Sequence, residues 1–282
     1  MIVTGGGRGI GAITATLAAA RGYAVAVNYR SDASAAEQLV AAITQRGGRA
    51  IAARADISQQ SGVTALFEQV DRALGPVTAL VNNAGIVDRG SRVDEIDEAR
   101  LQRMFAVNVF GSFMCARAAV LRMSTRHGGK GGRIVNVSSA AAKHGSPGEY
   151  VDYAAAKAAI DMFTLGLARE VASEGIRVNA VRPGIILTDI HASGGDASRA
   201  VRLGPSIPIQ RAGEPEEVAH AILWLASAEA SYCTGSILDV SGRSLTRPAP
   251  PRKRWTGTSL LLNRSCSRPG RLRVSRRPRE TS

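Results

Sequence analysis

Two side chains that can move a proton lie four residues apart in the segment Tyr153-Ala154-Ala155-Ala156-Lys157. Residues with this spacing share one face of a helix, so the Lys157 ammonium is expected close to the Tyr153 phenol. A nearby positive charge favours the phenolate and lowers the phenol pKa from its ordinary value of about 10. Such a phenol can give a proton to a carbonyl oxygen or take one from an alcohol. The motif is short, so the rest of the chain must decide between this interpretation and an ordinary surface pair.

The start of the chain has the pattern of a dinucleotide-binding turn. The β-branched run Ile2-Val3-Thr4 leads into Gly5-Gly6-Gly7-Arg8-Gly9-Ile10-Gly11, and a helix rich in Ala and Leu follows to about Arg21. Glycines between a strand and a helix let the backbone approach a pyrophosphate at the helix N-terminus. We therefore predict a cofactor site that includes Gly5, Arg8, Gly9, Ile10 and Gly11.

The second predicted strand, Ala24–Val27, bears on the choice of cofactor. An Asp or Glu usually stands about 20 residues past the glycines when the ribose 2′-hydroxyl is free. This chain has Tyr29 and Arg30 there, and Arg8 lies within the glycine turn. Because guanidinium groups bind phosphate in a bidentate manner, these residues favour NADP(H) over NAD(H). Asp32 leaves NAD(H) open if it folds back to the ribose.

Strands and helices alternate about seven times over residues 1–242. This alternation predicts one α/β domain, a doubly wound parallel seven-stranded sheet of the Rossmann-like type with helices on both faces. The polar, glycine-containing stretch at about 188–213 is a candidate lid. Further helices are predicted at about 34–46, 59–74, 98–126, a segment around Tyr153 to about 173, and 214–226, and further strands at about 49–54, 77–81, 133–137, 177–181 and 236–240.

Several further motifs occur in a fixed order along the same residues. They are Asn82-Asn83-Ala84-Gly85, Asn108, Ser139 and Pro183-Gly184 with Thr188. Together with the glycine turn and the Tyr153–Lys157 pair, they resemble the short-chain dehydrogenase/reductase family over 242 of the 282 residues. Within that family the chain is most similar to bacterial sugar-dehydrogenase-like and 3-oxoacyl-carrier-protein-reductase-like members.

The resemblance implies four catalytic residues. Tyr153 would be the general acid/base, and Lys157 would lower its pKa and bind the nicotinamide ribose. Ser139, which the family spacing favours over Ser138, would hydrogen-bond the substrate oxygen. Asn108 would hold a water molecule that links Lys157 to solvent.

The resemblance also implies cofactor contacts beyond the glycine turn. Asp56 and Ile57 would contact the adenine, Asn82 and Gly85 the adenosine side, and Thr188 with Ile186 the carboxamide. The complete predicted set is Gly5, Arg8, Gly9, Ile10, Gly11, Tyr29, Arg30, Asp56, Ile57, Asn82, Ala84, Gly85, Tyr153, Lys157, Pro183, Gly184, Ile186 and Thr188.

The implied activity is that of an NADP-dependent oxidoreductase, which transfers a hydride between nicotinamide and a small carbonyl or alcohol substrate. The alternative is a 3-oxoacyl-carrier-protein reductase, although Glu174 stands where the resemblance places a carrier-facing Arg, and its charge would repel an acidic carrier. A dinucleotide-binding regulator without turnover is disfavoured because both Tyr153 and Lys157 are present. The resemblance further implies a homo-oligomer, a tetramer or a dimer.

The net charge of +13 is concentrated near the C-terminus. Residues 243–282 contain 12 of the 36 Lys and Arg residues and one of the 23 acidic residues, which leaves residues 1–242 near neutral. The body therefore lacks the basic footprint of a nucleic-acid-binding domain. The composition of 243–282 predicts disorder, and we favour an accidental extension, such as a frameshift product, over a nucleic-acid-binding arm.

The remaining composition favours a cytoplasmic protein. Cys115, Cys233 and Cys266 are widely spaced and odd in number, which suits a reducing compartment. No apolar run approaches the roughly 20 residues of a membrane span, and no signal-peptide pattern precedes the first strand. The four histidines lack paired metal-ligand spacing, so no metal site is predicted. His144 and His191 fall in segments that border the expected substrate cleft; they indicate a polar substrate or are ordinary surface residues.

Overall fold

The computed structural model describes residues 1–243. The predicted disorder of 243–282 therefore lies outside the described residues, except for Arg243. Within them, seven parallel strands form one sheet in the order β3-β2-β1-β4-β5-β6-β7, which confirms the predicted fold class. The strands are β1 Ile2–Val3, β2 Ala24–Tyr29, β3 Arg49–Arg54, β4 Ala79–Asn82, β5 Gly132–Val137, β6 Ile176–Pro183 and β7 Ile237–Val240.

Helices connect the successive strands and cover both faces of the sheet. Short 3₁₀ turns occur at Val93–Glu95, Thr125–His127, Ala172–Glu174 and Gly204–Ser206, and a π-helical turn spans Ala106–Phe110. The α-helices are α1 Gly9–Ala20, α2 Ala33–Gln45, α3 Gln60–Leu74, α4 Glu98–Phe105, α5 Gly111–Met123, α6 Ala141–His144, α7 Val151–Val171, α8 Ile190–Ser193, α9 Arg199–Leu203 and α10 Pro215–Leu225.

Side chains alternate between the two faces of the sheet along each strand, so a hydrophobic core forms on each face. Adjacent residues of a strand point to opposite faces, so Ile2 packs with α3, α5 and α7, whereas Val3 packs with α1, α2 and α10. The first core is centred on Leu66 and Phe67, and the second includes Ile222, all of which are fully buried. Both faces of the parallel sheet are therefore covered, as its hydrophobic strands require.

Several predicted elements differ from the structure in their bounds, by one or two residues at most strands and by more in the long helix at 98–126. Strand β2 continues beyond the predicted Val27 because Asn28 and Tyr29 still pair with Ala53 and Arg54 of β3. The single long helix predicted at 98–126 is interrupted by the π-helical turn, in which Asn108 lies. Such turns occur frequently at functional sites.

The stretch Glu98–Met123 is long and apolar enough to cross a membrane by length and composition alone. Half of its most apolar window is buried inside the fold. Its α5 part contributes Cys115, Ala116 and Ala119 to the core, and these side chains are almost completely buried. The stretch therefore packs as a core helix packs in a globular protein.

The sheet order determines where a ligand can bind. From β1 the chain proceeds outward to β2 and β3, and then returns to the other side of β1 with β4. Ligands of open α/β sheets bind at such a reversal, in the crevice beyond the carboxyl ends of the strands. The predicted motifs follow β1, β4, β5 and β6 at that edge.

Candidate active site

The glycine turn after β1 has backbone angles that favour glycine. Gly5 and Gly9 adopt φ angles of +58° and +52°, a region that side chains with a Cβ rarely enter. A Cβ at Gly5 would approach the Ala84 Cα to 2.9 Å. The turn therefore packs directly against the loop after β4, and both loops border the same cleft.

Thr4 and Asn83 hold these two loops together. The Thr4 hydroxyl oxygen accepts hydrogen bonds from the backbone N–H groups of Asn83 and Ala84, each at 3.0 Å. In return, the Asn83 amide donates to the carbonyl oxygens of Thr4 and Gly5 at 2.9 and 3.1 Å. Neither residue was in the predicted site, although both belong to motifs that the sequence shows.

Most of the predicted site residues line one cleft with two adjoining parts. The larger part has a volume of about 280 Å³ and the smaller of about 110 Å³, and Gly85 and Thr188 border both. The larger part is lined by Gly5, Arg8, Gly9, Tyr29, Arg30, Asp56, Ile57 and Ala84. The smaller part is lined by Ile10, Ser139, Tyr153, Lys157, Pro183, Gly184 and Ile186.

Three predicted residues do not line the cleft. Gly11 lies inside the turn, where a Cβ would come within 2.5 Å of both the Gly5 oxygen and the Asn83 amide. Asn82 is buried in the core, where its side-chain amide donates to the Ser112 carbonyl and the Asn136 amide oxygen, so this side chain does not border the cleft. The neighbouring Asn83 borders the cleft in its place.

Asn108 is the third, and it is fully buried beside the cleft. Its amide oxygen accepts from the Ile86 N–H at 3.1 Å, and its amide nitrogen donates to the Ile86 carbonyl at 3.0 Å. A Cβ at Gly85 would lie 2.8 Å from the Asn108 oxygen and 3.3 Å from Lys157 Nζ. The Asn108 side chain therefore fixes the loop after β4 next to the ammonium. These bonds do not test the predicted role of Asn108 in binding water.

The end of the cleft near β2 is rich in exposed arginine. Arg8 and Arg30 both border it, and neither forms an ion pair within residues 1–243. The Asp32 carboxylate instead accepts the Ala35 N–H at 3.0 Å and thereby caps α2. Asn28, which the sequence reasoning passed over, joins the ends of β2 and β3 to the glycine turn through bonds to Ala53, Ala55 and Gly5.

The two serines after β5 differ in their contacts. The Ser138 hydroxyl donates to the carbonyl oxygen of Lys157 at 3.1 Å and so joins β5 to α7. The Ser139 hydroxyl accepts the Ala141 N–H at 3.1 Å, and it lies close enough to Tyr153 to lower the pKa of the phenol. Ser139 therefore stands next to the phenol, whereas Ser138 supports the helix that carries it.

Tyr153 and Lys157 share one face of α7, as their spacing predicts. Lys157 Nζ lies 5.6 Å from the centroid of the Tyr153 ring and donates to the Val137 carbonyl at 2.8 Å. Burial lowers the pKa of Lys157 from 10.5 to about 8. Burial also raises the pKa of Tyr153 to about 12, against the opposing effect of the nearby Ser139 hydroxyl. The net pKa of Tyr153 is therefore raised, opposite to the direction that the spacing to Lys157 predicts, because desolvation of the phenolate outweighs the other effects.

A buried ion pair fixes the start of α7, next to Tyr153. Arg100 Nε and Nη2 donate to the two carboxylate oxygens of Asp152 at 2.8 and 3.2 Å. Arg100 Nη1 also donates to the Arg89 carbonyl at 2.7 Å. Because Arg100 belongs to α4, this pair connects the α4 segment, the loop after β4 and the helix of the candidate acid.

Polar side chains at the substrate end of the cleft divide into two groups. His191 of α8 borders the same cavity as Ser139 and Tyr153. Glu149 instead pairs with Arg199 at 2.6 Å, and His144 accepts the Ser146 N–H at 3.4 Å. Of the residues that the sequence placed near this cleft, His191 is the histidine that lines it. In the part of the chain that the structure describes, no three His, Cys, Asp or Glu residues form a group suited to a metal ion.

Known proteins share both the sequence and the fold. The family model described as enoyl-(acyl carrier protein) reductase matches residues 5–242. The chain is 54% identical to the uncharacterized oxidoreductase YgfF of Escherichia coli (strain K12), over 86% of this chain and 98% of that protein. It is 39% identical to a 3-oxoacyl-[acyl-carrier-protein] reductase of Synechocystis sp. (strain ATCC 27184 / PCC 6803 / Kazusa), over 86% and 94% of the two chains.

A solved structure is similar to this chain in both fold and sequence. The crystal structure of a blue fluorescent protein from a metagenomic library in complex with NADPH has a TM-score of 0.78 and 35% sequence identity. The match covers 86% of this chain and 95% of that one. The cleft geometry, the matched family model and these relatives agree: the chain is an oxidoreductase of the short-chain dehydrogenase/reductase family.

Proposed function

We propose that the protein is an NADPH-dependent carbonyl reductase that also works in reverse as an alcohol dehydrogenase, with Tyr153 as general acid/base. The observation that carries the proposal is the convergence of Ser139, Tyr153 and Lys157 on one small cavity. That cavity adjoins the larger part of the cleft, which has the features of a dinucleotide site. Because predicted cofactor contacts such as Pro183 and Ile186 also line the small cavity, the nicotinamide and a carbonyl compound would meet there, next to the candidate acid.

The residues of the larger part fit a nicotinamide dinucleotide. Helix α1 begins at the cleft, and the first turn of α1 has no side-chain cap and no acidic residue, so its N–H groups remain for an anion. The positive φ angles of Gly5 and Gly9 keep the backbone bare where a pyrophosphate would approach. Thr188 borders both parts of the cleft, which supports a role in holding the carboxamide at their junction.

Exposed arginines support NADPH over NADH. Arg8 and Arg30 border the end of the cleft where the adenosine ribose would lie. Asp32, the acid that could have bound a free 2′-hydroxyl, is used as the cap of α2. Two guanidinium groups suit a 2′-phosphate, and the Asp32 carboxylate beside them already accepts the Ala35 N–H.

The proton chemistry is assigned to three side chains. NADPH, when bound, supplies the hydride. Tyr153 donates its phenolic proton to the carbonyl oxygen, and the raised pKa keeps that proton in place at neutral pH. The Ser139 hydroxyl donates a second hydrogen bond to the same oxygen as negative charge develops there. Lys157 lies under the Tyr153 ring, where its charge stabilises the phenolate that remains.

An apolar surface supports assembly into a homo-oligomer, either a dimer or a tetramer. Phe113 of α5 stacks on Phe163 of α7 with ring centroids 3.7 Å apart. Around this pair, Phe110 and Met162 are 57% and 68% exposed. Exposed apolar patches of this kind mark protein–protein contacts. Helix α7 carries both this surface and the candidate catalytic pair, so assembly would stabilise the helix that positions them.

The proposal is tested by following NADPH and NADH oxidation with a panel of ketones, sugars and acyl thioesters. We expect turnover of a ketone or sugar with NADPH, and a kcat/KM at least tenfold lower with NADH. Absence of turnover across the panel, in a protein that binds NADPH, would instead favour a dinucleotide-binding regulator. Turnover confined to acyl thioesters would favour 3-oxoacyl-carrier-protein reduction.

Reduction of 3-oxoacyl groups on a carrier protein is the second candidate function. Reductases of 3-oxoacyl-[acyl-carrier-protein] are among the similar proteins. Glu174 argues against it, because its carboxylate lies after α7 and accepts a hydrogen bond from Ser124 at 2.5 Å. A carboxylate fixed at this position would repel an acidic carrier.

A further inference from the structure

The proposed reductase leaves one cleft side chain without a role, the imidazole of His191. Helix α8, which carries it, is a single turn between Ile190 and Ser193. The backbone of that turn is held by a hydrogen bond from the Asp196 N–H to the His191 carbonyl at 3.0 Å. His191 borders the cavity of Ser139 and Tyr153, where a substrate would lie.

A single hydrogen bond orients the imidazole ring. His191 Nε2 lies 2.9 Å from the carbonyl oxygen of Ile186. A carbonyl oxygen only accepts, so Nε2 carries the proton of this bond. In the neutral ring, Nδ1 then remains as an acceptor with no proton of its own.

The surroundings of the ring favour its neutral form. Burial lowers the pKa of His191, and the Arg199 guanidinium acts in the same direction. The hydrogen bond to Ile186 and the Asp196 carboxylate oppose them, but the net shift is downward. Near pH 7 the ring is therefore an acceptor at Nδ1 and not a second cation in the cleft.

Three other polar side chains of this cavity already donate hydrogen bonds within the protein. The Asn83 amide donates to the glycine turn, the Ser138 hydroxyl to the Lys157 carbonyl, and the Lys157 ammonium to the Val137 carbonyl. Ser139 and Tyr153 are assigned to the reacting oxygen. His191 therefore offers this cavity an acceptor for a second substrate group.

We infer that His191 is a specificity residue whose Nδ1 accepts a hydrogen bond from a substrate hydroxyl group. The inference rests on the proposed function and narrows its substrate class to hydroxylated ketones, and to the polyols formed from them. A ketone without the hydroxyl would leave the partly buried Nδ1 unpaired, which is unfavourable. Sites built to bind a hydroxyl discriminate against analogues that lack it for this reason.

The test uses two ketones of nearly equal shape, hydroxyacetone and 2-butanone, in which a methyl group replaces the hydroxyl. Their kcat/KM values with NADPH are compared in the wild type and in three variants. His191→Phe keeps a ring without an acceptor, and His191→Asn keeps an acceptor near the position of Nδ1. His144→Phe is the control, because His144 does not line the cavity.

The wild type and the His144→Phe variant are expected to prefer hydroxyacetone by about tenfold, the effect of one well-placed hydrogen bond. His191→Phe should lose the preference with little change for 2-butanone, and His191→Asn should restore part of it. Equal losses on both ketones, or no loss on either, would show that His191 only shapes the loop and would overturn the inference. If the wild type reduces both ketones equally, the inference about His191 is overturned but the proposed function is not. If it reduces neither ketone nor any other carbonyl compound, the proposed function is contradicted as well.

Discussion

Lys157 Nζ lies 5.6 Å from the centroid of the Tyr153 ring, with Lys157 almost completely buried and Tyr153 partly buried at the edge of the cleft. Each is shifted by burial toward its neutral form, the phenol to a pKa of about 12 and the ammonium to about 8. The pair is therefore set up to hold a proton on Tyr153 at neutral pH. Keeping a charged Lys157 at this place has a cost in stability, as is common for functional groups.

Removing the buried charge should stabilise the protein. At neutral pH Lys157 is charged both folded and unfolded, and a fall in pKa from 10.5 to about 8 corresponds to a penalty of about 3 kcal/mol. We expect Lys157→Met to raise the free energy of unfolding at pH 7, by at most that amount because the bond to Val137 is lost. Urea denaturation of both proteins measures the difference.

The increase in the free energy of unfolding caused by Lys157→Met should depend on pH. Between pH 8 and 10.5 the folded wild type releases a proton that the unfolded chain keeps, so wild-type stability rises with pH in this window. The difference between variant and wild type should therefore shrink toward pH 10.5. Lys130→Met, at an exposed position, is the control and should show no such trend. A constant difference would contradict the lowered pKa.

Arg30 should determine the choice between the two nicotinamide cofactors. Arg30→Ala removes a guanidinium from the proposed 2′-phosphate site, and we expect a Kd for NADPH that is higher by about tenfold or more. The Kd for NADH should change little. Fluorescence titration measures both, with Arg46→Ala, exposed and away from the cleft, as control. Equal weakening of both cofactors would argue against a 2′-phosphate contact.

The ion pair between Arg100 and Asp152 should contribute far more than a surface pair. Arg100→Ala leaves the almost fully buried Asp152 carboxylate without its partner, and we expect a loss of about 3–5 kcal/mol in the free energy of unfolding. The control is Arg103→Ala, which breaks an exposed pair with Asp88 and should cost about 1 kcal/mol or less. Similar losses in the two variants would show that the Arg100 pair has no special role.

The apolar surface around Phe113 should mediate assembly. A charge at Met162, which is 68% exposed, would have to be buried in any interface formed there. Met162→Lys should therefore shift the protein toward the monomer in sedimentation velocity experiments. Val93→Lys, at an equally exposed site off this surface, should leave the assembly unchanged. A wild type that is monomeric at micromolar concentration would refute the proposed oligomer.

Local patterns were sufficient to predict the sheet, because each strand is a short apolar run between glycine-rich or polar segments. The glycine turn also folds as predicted, since Gly5 and Gly9 need backbone angles that other residues rarely adopt. The sequence does not predict the π-helical turn at Asn108, because a local change of hydrogen bonding leaves the helix continuous, and Gly111, which follows the turn, also occurs within uninterrupted helices.

The sequence also could not show which of two adjacent asparagines borders the cleft. Asn82 and Asn83 are identical in type, and only the end of β4 decides that the first turns into the core and the second toward the cleft. Likewise, the pKa of Tyr153 depends on burial by residues from several elements. The spacing to Lys157 showed the attraction between the two groups but not the desolvation that outweighs it.

The most direct test of the central claim is a comparison of Tyr153→Phe with the wild type in two assays. The variant keeps the ring over Lys157 and removes the hydroxyl that is proposed to supply the proton. We expect kcat for ketone reduction to fall by at least about 10²-fold. The Kd for NADPH should remain within about twofold of the wild-type value, because binding does not use the phenolic proton. A variant that still reduces ketones at a rate close to wild type would contradict the assignment of Tyr153 as general acid/base.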